Sequence, residues 1–326
     1  VAQTIRYTDI TSLVAPSLQR VEQRLERLCG RGAPRLCEAA RAALLSGGKR
    51  LRPTLVLLSA RATGTPSPAT EDLAVAVEIL HVASLLHDDV MDEAVLRRGQ
   101  PAVRQRWGNR MAVLVGDYLA AAAYYELAGL EQPQRYVQVL AQVALSMCGS
   151  EATFAMGGSE ITPEACLDVA RGKTAALIAA CCELGGRSAN APEASLQALR
   201  EYGENLGLVF QITDDLLDLY GRAEVTGKSP GRDALTGQIT YPIAVALRSP
   251  GGDAVRQALT RVATDPDGLA ALAAAVEAAG GRAAAESLGR SLADSALAAL
   301  ERITPADVRA LQSLADLVKF TLQRDH

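Results

Sequence analysis

A chain of 326 residues that is 49% hydrophobic and 21% charged can bury a large core, which excludes disorder as its native condition. Its formal net charge of -4 supplies no basic field over the surface, so nucleic acid is not expected as a partner. The cysteines Cys29, Cys37, Cys148, Cys166, Cys181 and Cys182 form no C-x-x-C pair, which argues against a zinc or dithiol centre; all six read as small core hydrophobes in a reducing, cytoplasmic compartment.

From the N-terminus, VAQTIRYTDITSLVAP lacks the basic-then-apolar layout of a secretory signal. Beyond it, alanine and leucine recur with helical periodicity, and no segment alternates as a strand would. Gly/Pro/Ser clusters break the chain at residues 63–68 (TGTPSP), 185–195 (GGRSANAPEAS), 221–233 (GRAEVTGKSPGRD) and 248–253 (RSPGGD). They separate about ten helices without forming an interdomain linker, which predicts one all-α domain over residues 1–326. Ser67 followed by Pro68 starts a helix whose stripe of Val75, Ile79, Val82 and Leu86 is widened by Val77, Leu80 and Leu85, so it is wrapped on most sides. The run AVLVGDYLAAAAYYELAGL at 112–130 carries Asp117 and Glu126. It reads as a buried helix and not as an integral membrane segment.

Two acidic clusters interrupt these apolar helices. HDDVMDEAVLRR at 87–98 holds Asp88, Asp89 and Asp92; FQITDDLLD at 210–218 holds Asp214, Asp215 and Asp218. Like charges four residues apart face each other on a helix and destabilise it by about 0.2–0.5 kcal/mol, and partial burial adds to that cost. A hard cation relieves both, because carboxylates without His or Cys partners suit magnesium, which keeps waters and shares its shell with phosphates. For either cluster alone a solvated helix end is as good a reading; two clusters with bases nearby favour the cation.

The bases are patterned. GGKRLRP at 47–53 sets Lys49, Arg50 and Arg52 behind two glycines, Arg97 and Arg98 follow the first cluster, GKT offers Lys173 and Thr174, and TGK adds Lys228. Any one of them alone is most simply a surface charge. GKT is no P-loop, since the leading glycine and four-residue spacer are missing. Together, acids for metal and bases for phosphate on an apolar scaffold describe a site for a diphosphate attached to a hydrophobic group.

At this point GGKRLRP, HVASLLHDDVMDEAVLRRG, GNRMAVLVGDYL, GKTAALIAACCELGG and FQITDDLLDLYG with TGKSPGRD resemble the trans-isoprenyl diphosphate synthases, from about residue 20 to the C-terminus. The resemblance implies the isoprenoid-synthase fold, an antiparallel helix bundle around a deep central cavity, as a homodimer. It implies condensation of isopentenyl diphosphate with an allylic diphosphate (dimethylallyl, geranyl or farnesyl), assisted by Mg2+, three ions with diphosphate bound. By motif position Asp88, Asp92 and Asp214 would ligate metal directly. Asp89, Asp215 and Asp218 would do so through water or as supporting groups. Arg97, Lys173 and Lys228 would hold the allylic diphosphate, and Lys49, Arg52, His81 and Arg98 isopentenyl diphosphate. Thr174 and Gln211 would line the reacting carbons. Ala83 and Ser84, five and four residues before Asp88, are small where bulky residues would stop growth at farnesyl length. Tyr124 and Tyr125 would form a deeper floor, which implies geranylgeranyl or longer products. Two departures from the family pattern stand out: Gln238 where lysine is frequent, and Phe154 three residues after Glu151 where glutamine is frequent.

A terpene cyclase of the same fold would leave Lys49, Arg52 and Arg98 without a role. A non-catalytic subunit of a heteromeric synthase would have lost acidic residues that this chain keeps. A metal phosphohydrolase built on His81, His87 and Asp88 leaves the second cluster unexplained, and without the resemblance His81 is best read as a satisfied core histidine.

Overall fold

The structure is a computed structural model and describes residues 5–28, 30, 32–155, 161–221, 231–265 and 267–323. It is all-α apart from one minimal hairpin, and the helices among the described residues exceed the ten or so expected. The chain divides into two compact units. The first comprises residues 1–142, 177–200 and 300–316; the second comprises 143–176, 201–299 and 317–326.

After a short helix (Tyr7–Thr11) and a 3-10 turn (Ser12–Val14), the first unit runs through α1 (Ala15–Leu28), α2 (Pro34–Leu44) and α3 (Leu51–Thr63). They are followed by α4 (Pro68–Met91), which starts where Ser67-Pro68 predicts, with the Ser67 N–H donating to Thr70 Oγ1 at 3.0 Å. Leu73, Ala74, Val75, Ala76, Val77 and Ile79 of α4 are all fully buried, so this helix is wrapped on every side. Strands β1 (Leu96–Arg97) and β2 (Gln100–Pro101) pair antiparallel through the turn Arg98-Gly99. Both turn residues have positive φ, 51° and 74°, as a tight two-residue hairpin requires. Next comes α5 (Asn109–Ala128). It lies so close to α4 that a methyl at Gly116 would collide with His87 Nε2. The helix α6 (Gln134–Ala155) then leads into the second unit.

The second unit contains α7 (Pro163–Ala170) and a π-helical turn (Arg171–Ala175). The helix α8 (Ala176–Ser188) returns to the first unit, and α9 (Glu193–Tyr220) begins there and ends in the second. There follow α10 (Tyr241–Leu247), α11 (Gly252–Arg261), α12 (Gly268–Ala278), α13 (Gly281–Glu301) and α14 (Val308–Leu322). One core of this unit joins Leu219, Ile243, Val255, Leu272 and Val276; another joins Ile212, Leu216 and Ala285.

Two sequence expectations are corrected. The break at 185–195 falls only after Ser188: Gly185 and Gly186 still lie inside α8, where the absence of a side chain at Gly185 lets α8 rest on the backbone of α3. The cysteines are not uniformly core residues: Cys181 and Cys182 are buried, Cys37 and Cys166 half-buried, and Cys148 exposed. Cys29 lies outside the described residues. No helix among those described is long and apolar enough to cross a membrane.

Candidate diphosphate and metal site

The first acidic cluster sits at the C-terminal end of α4. Asp92 is not inside the helix, as its spacing from Asp88 predicts, but caps it, its N–H donating to the Asp88 carbonyl at 2.8 Å. Asp89 is buried and accepts from Arg97 Nε at 2.8 Å, with Arg97 Nη2 also on the same oxygen. The second cluster lies in the last two turns of α9. Helix C-termini carry partial negative charge and unpaired carbonyls, so carboxylates there are doubly unfavourable and a cation is doubly favoured.

The bases of the first unit converge near α4. A Cβ on Gly48 would lie 2.9 Å from the Arg98 guanidinium carbon, so that glycine is what admits the side chain against the loop. Arg98 Nη1 reaches the Gly47 carbonyl and lies 3.4 Å from Ser46 Oγ. Desolvation, followed by the charges of Arg52, Arg98, Arg97 and Arg50, holds His81 well below its ordinary value of 6.5. His81 is therefore a neutral ring among four arginines. The unfolded chain takes up a proton below pH 6.5 and the folded chain does not, so His81 lowers stability progressively as pH falls below that value. Urea unfolding at pH 7.5 and 5.5 is expected to show this loss, at most about 1.4 kcal/mol per pH unit, and His81→Gln to remove its share.

Arg50, between Lys49 and Arg52, turns the other way. Its guanidinium is buried against Glu78 Oε1 at 2.7 Å, Glu22 Oε2 at 3.1 Å and the Leu44 carbonyl at 2.8 Å. Glu78 and Glu22 had not been singled out in the sequence. The available signal was Glu78 itself, an acid isolated in the apolar run from Leu73 to Leu80.

In the second unit the π turn is the organiser. Methyls at Gly172 and Gly207 would collide with Ser150 Oγ and Ala175 Cα, so α6 and α9 both pack directly on it. That contact sets Lys173 Nζ 2.7 Å from Glu151 Oε2 and lets Thr174 Oγ1 donate to Gln211 Oε1 at 2.8 Å. Gln211 Nε2 in turn donates to Asp215 Oδ1 at 2.8 Å. Burial pushes the Asp215 carboxyl up to about 7, against the pull of Gln211. Asp218 Oδ2 accepts from the Asp233 N–H at 3.2 Å. A π turn inside a helical run is frequent at functional sites because it re-aims side chains. Lys228 lies outside the described residues, and Gln238 is half-buried with its N–H on the Asp233 carbonyl at 2.8 Å.

Among the described residues, no three His, Cys, Asp or Glu side chains converge into a cage made by protein alone. Each acidic cluster by itself offers carboxylate oxygens in ones and twos, which suits magnesium, an ion that needs few carboxylates and fills its shell with water and phosphate oxygen.

An all-α scaffold with paired carboxylates and clustered bases defines a protein that handles diphosphates. The polyprenyl synthetase family model matches residues 33–277. The heptaprenyl diphosphate synthase component 2 of Geobacillus stearothermophilus is 37% identical, covering 97% of this chain and 98% of that one. Among solved structures, a decaprenyl diphosphate synthase from Rhodobacter capsulatus superposes with a TM-score of 0.88 at 33% identity, over 98% of this chain and 100% of that one. A polyprenyl synthase from Caulobacter crescentus, complexed with calcium and isoprenyl diphosphate, gives 0.89 at 30% identity, over 99% of both chains. The chain belongs to the polyprenyl synthetase family, the trans-isoprenyl diphosphate synthases. It is a transferase that builds linear polyprenyl diphosphates on the all-α isoprenoid-synthase fold.

Proposed function

We propose that this enzyme joins isopentenyl diphosphate to an allylic diphosphate with magnesium, giving geranylgeranyl or longer products, and that residues 1–326 act as one domain. The observation that carries the reading is the packing of Arg98 against Gly47 and Gly48, with Arg97 on Asp89 at the first acidic cluster, a gathering of bases suited to a diphosphate. Magnesium held by Asp88, Asp92 and Asp214 would supply positive charge to the leaving diphosphate. Lys173 leaves Glu151 for the allylic diphosphate, and Arg97 orients the same group while keeping Asp89 in place. Lys49, Arg52, His81 and Arg98 hold isopentenyl diphosphate. As the allylic bond breaks, fixed cationic groups meet charge that develops on the diphosphate, the largest usual source of catalysis. The Thr174 and Gln211 dipoles line the resulting allylic cation. The isopentenyl double bond attacks that cation, and the departing diphosphate takes the proton. Incubating the protein with magnesium, isopentenyl diphosphate and each allylic primer in turn, then identifying products, tests this; no prenyl product from any primer would refute it.

The basic residues are expected to separate by substrate. Arg98→Ala should raise KM mainly for isopentenyl diphosphate and Lys173→Ala mainly for the allylic primer, each by about tenfold or more, since a charge-assisted contact is worth about 1.5–3 kcal/mol. Identical responses to both substrates would overturn the division.

Product length should separate in the same way. Ser84 is one turn before Asp88 and shares its face, with its Oγ bonded to the His81 carbonyl at 2.8 Å. Ala83 is buried and one turn before His87, on the side that packs against Gly116 of α5. Ser84→Phe is therefore expected to shorten the product. Ala83→Phe is expected to destabilise the fold by about 1–3 kcal/mol through overpacking. Chromatography of the products and thermal unfolding of both variants decide this. Tyr124 is half-buried and remains in the proposal as a floor residue; Tyr125 is 71% exposed and does not suit it.

An exposed stripe of Val113, Leu114, Asp117, Ala121 and Tyr125 along α5 supports a homodimer. A second reading, a catalytic subunit that works with a different chain, is favoured by the relative named as a component 2. Sedimentation of the purified protein alone, read against its activity, separates the two. Action in the cytoplasm is part of the reading, supported by the buried thiols Cys181 and Cys182.

A further inference from the structure

We propose that Glu78 is a positioning residue for the isopentenyl diphosphate cradle, acting through Arg50 to fix the bend that carries Lys49 and leads into the first turn of α3 with Arg52. The inference rests on the assignment of that cradle to diphosphate, and three observations lead to it.

The first is backbone strain. Arg50 is the residue before α3 and has φ 51° and ψ 43°, a left-handed conformation unfavourable for a long side chain. Such a conformation persists only where the surroundings hold it. The second is the hold itself. The Arg50 guanidinium is spent inward on Glu78, Glu22 and the Leu44 carbonyl, and the Arg50 carbonyl accepts from the Thr54 N–H at 3.0 Å and from Thr54 Oγ1 at 2.8 Å. Lys49 just before it is exposed, so the chain alternates outward and inward at this bend. The third is placement. Glu78 lies three residues before His81 on α4, and only 3% of its side chain is exposed. It is a buried acid paired with Arg50, and its charge bears on Arg98 as well.

A diphosphate cradle must keep several like charges together before its anion arrives. Glu78 does this from beneath, where it cannot compete with substrate as an exposed acid would. Glu22 also holds Arg50, through two contacts, but is partly exposed, so its charge is screened by water as that of Glu78 is not.

The test is steady-state kinetics of Glu78→Gln, which keeps size and hydrogen bonding but removes charge. The expected result is a rise of about tenfold in KM for isopentenyl diphosphate, as a lost anchoring charge would give, with the allylic KM and kcat changed less than about twofold. Arg50→Gln should give the same pattern, and the double variant should be no worse than either single one, since both act through one ion pair. An unchanged isopentenyl KM in folded Glu78→Gln would overturn the proposal, as would equal rises in both KM values with a lower kcat. If Glu78→Gln does not fold, Arg50→Lys carries the test: it keeps the charge but not the fork, and an isopentenyl KM equal to wild type would overturn the proposal. Arg98→Ala serves as the control for the underlying assignment. If that variant leaves the isopentenyl KM unchanged, the cradle is misassigned; if it raises KM while Glu78→Gln does not, only the role of Glu78 is wrong.

Discussion

Asp88→Ala and Asp214→Ala are each expected to lower the rate of condensation by on the order of a hundredfold to a thousandfold or more, the size of effect seen when charge stabilisation of a leaving group is removed. Both carboxylates lie at the C-terminal ends of long helices, α4 and α9, where the helix itself disfavours negative charge. Alanine is a good helix former at both positions, so the variants should fold. The measurement is incorporation of labelled isopentenyl units across a magnesium titration, with circular dichroism to confirm folding. A folded variant of either residue that turns over at near-normal rate would remove the metal site from this proposal. Glu151→Gln offers a contrast within the second unit. It removes a partner of Lys173 but no expected metal ligand, so a smaller loss belongs there.

Gly185→Ala is expected to cost about 3 kcal/mol of stability, at the upper end for overpacking a core. The added methyl would meet the Val56 carbonyl oxygen, Ser59 Cβ at 2.9 Å and the Ala60 nitrogen at 3.0 Å. Two of the three are backbone atoms of α3, which cannot rotate away as a side-chain tip can. Ser59 and Cys182 are buried at the same crossing, so the helices have no room to part locally. Urea denaturation of the variant should show a lower midpoint with little change in slope. A midpoint equal to wild type would mean that α3 and α8 slide more easily than their packing allows. Gly48→Ala differs in kind: its φ of 129° strains any side chain, and its methyl would also press on the Arg98 guanidinium, so a loss of substrate binding should accompany the loss of stability.

The helices were legible because burial repeats with the helical period, and Ser67-Pro68 marked the start of α4 correctly. The cluster at 185–195 marked the break between α8 and α9, but its two leading glycines stay inside α8, because a glycine that ends a helix and one that admits a neighbouring helix look alike in one dimension. Asp92 was placed inside a helix that stops one residue earlier. Spacing reports angular position, but the end of a helix is decided by where its last carbonyls find partners. The families of acids and bases were legible as motifs. The partners Glu22, Glu78 and Glu151 were not, because each is distant in sequence from the base it holds.

By itself the sequence determined the fold class, the two acidic clusters and the kinds of ligand they suit. These follow from local periodicity and from the charge and hardness of side-chain donors, which need no third dimension. Only the tertiary structure decided that Arg50 turns inward while Lys49 stays exposed, and that Gly48 admits Arg98. Only it showed that a π turn joins Thr174 to Gln211 and on to Asp215. Each of these is a contact between segments far apart along the chain, set by the close approach of helices and by the cost of burying a charge without its counter-charge.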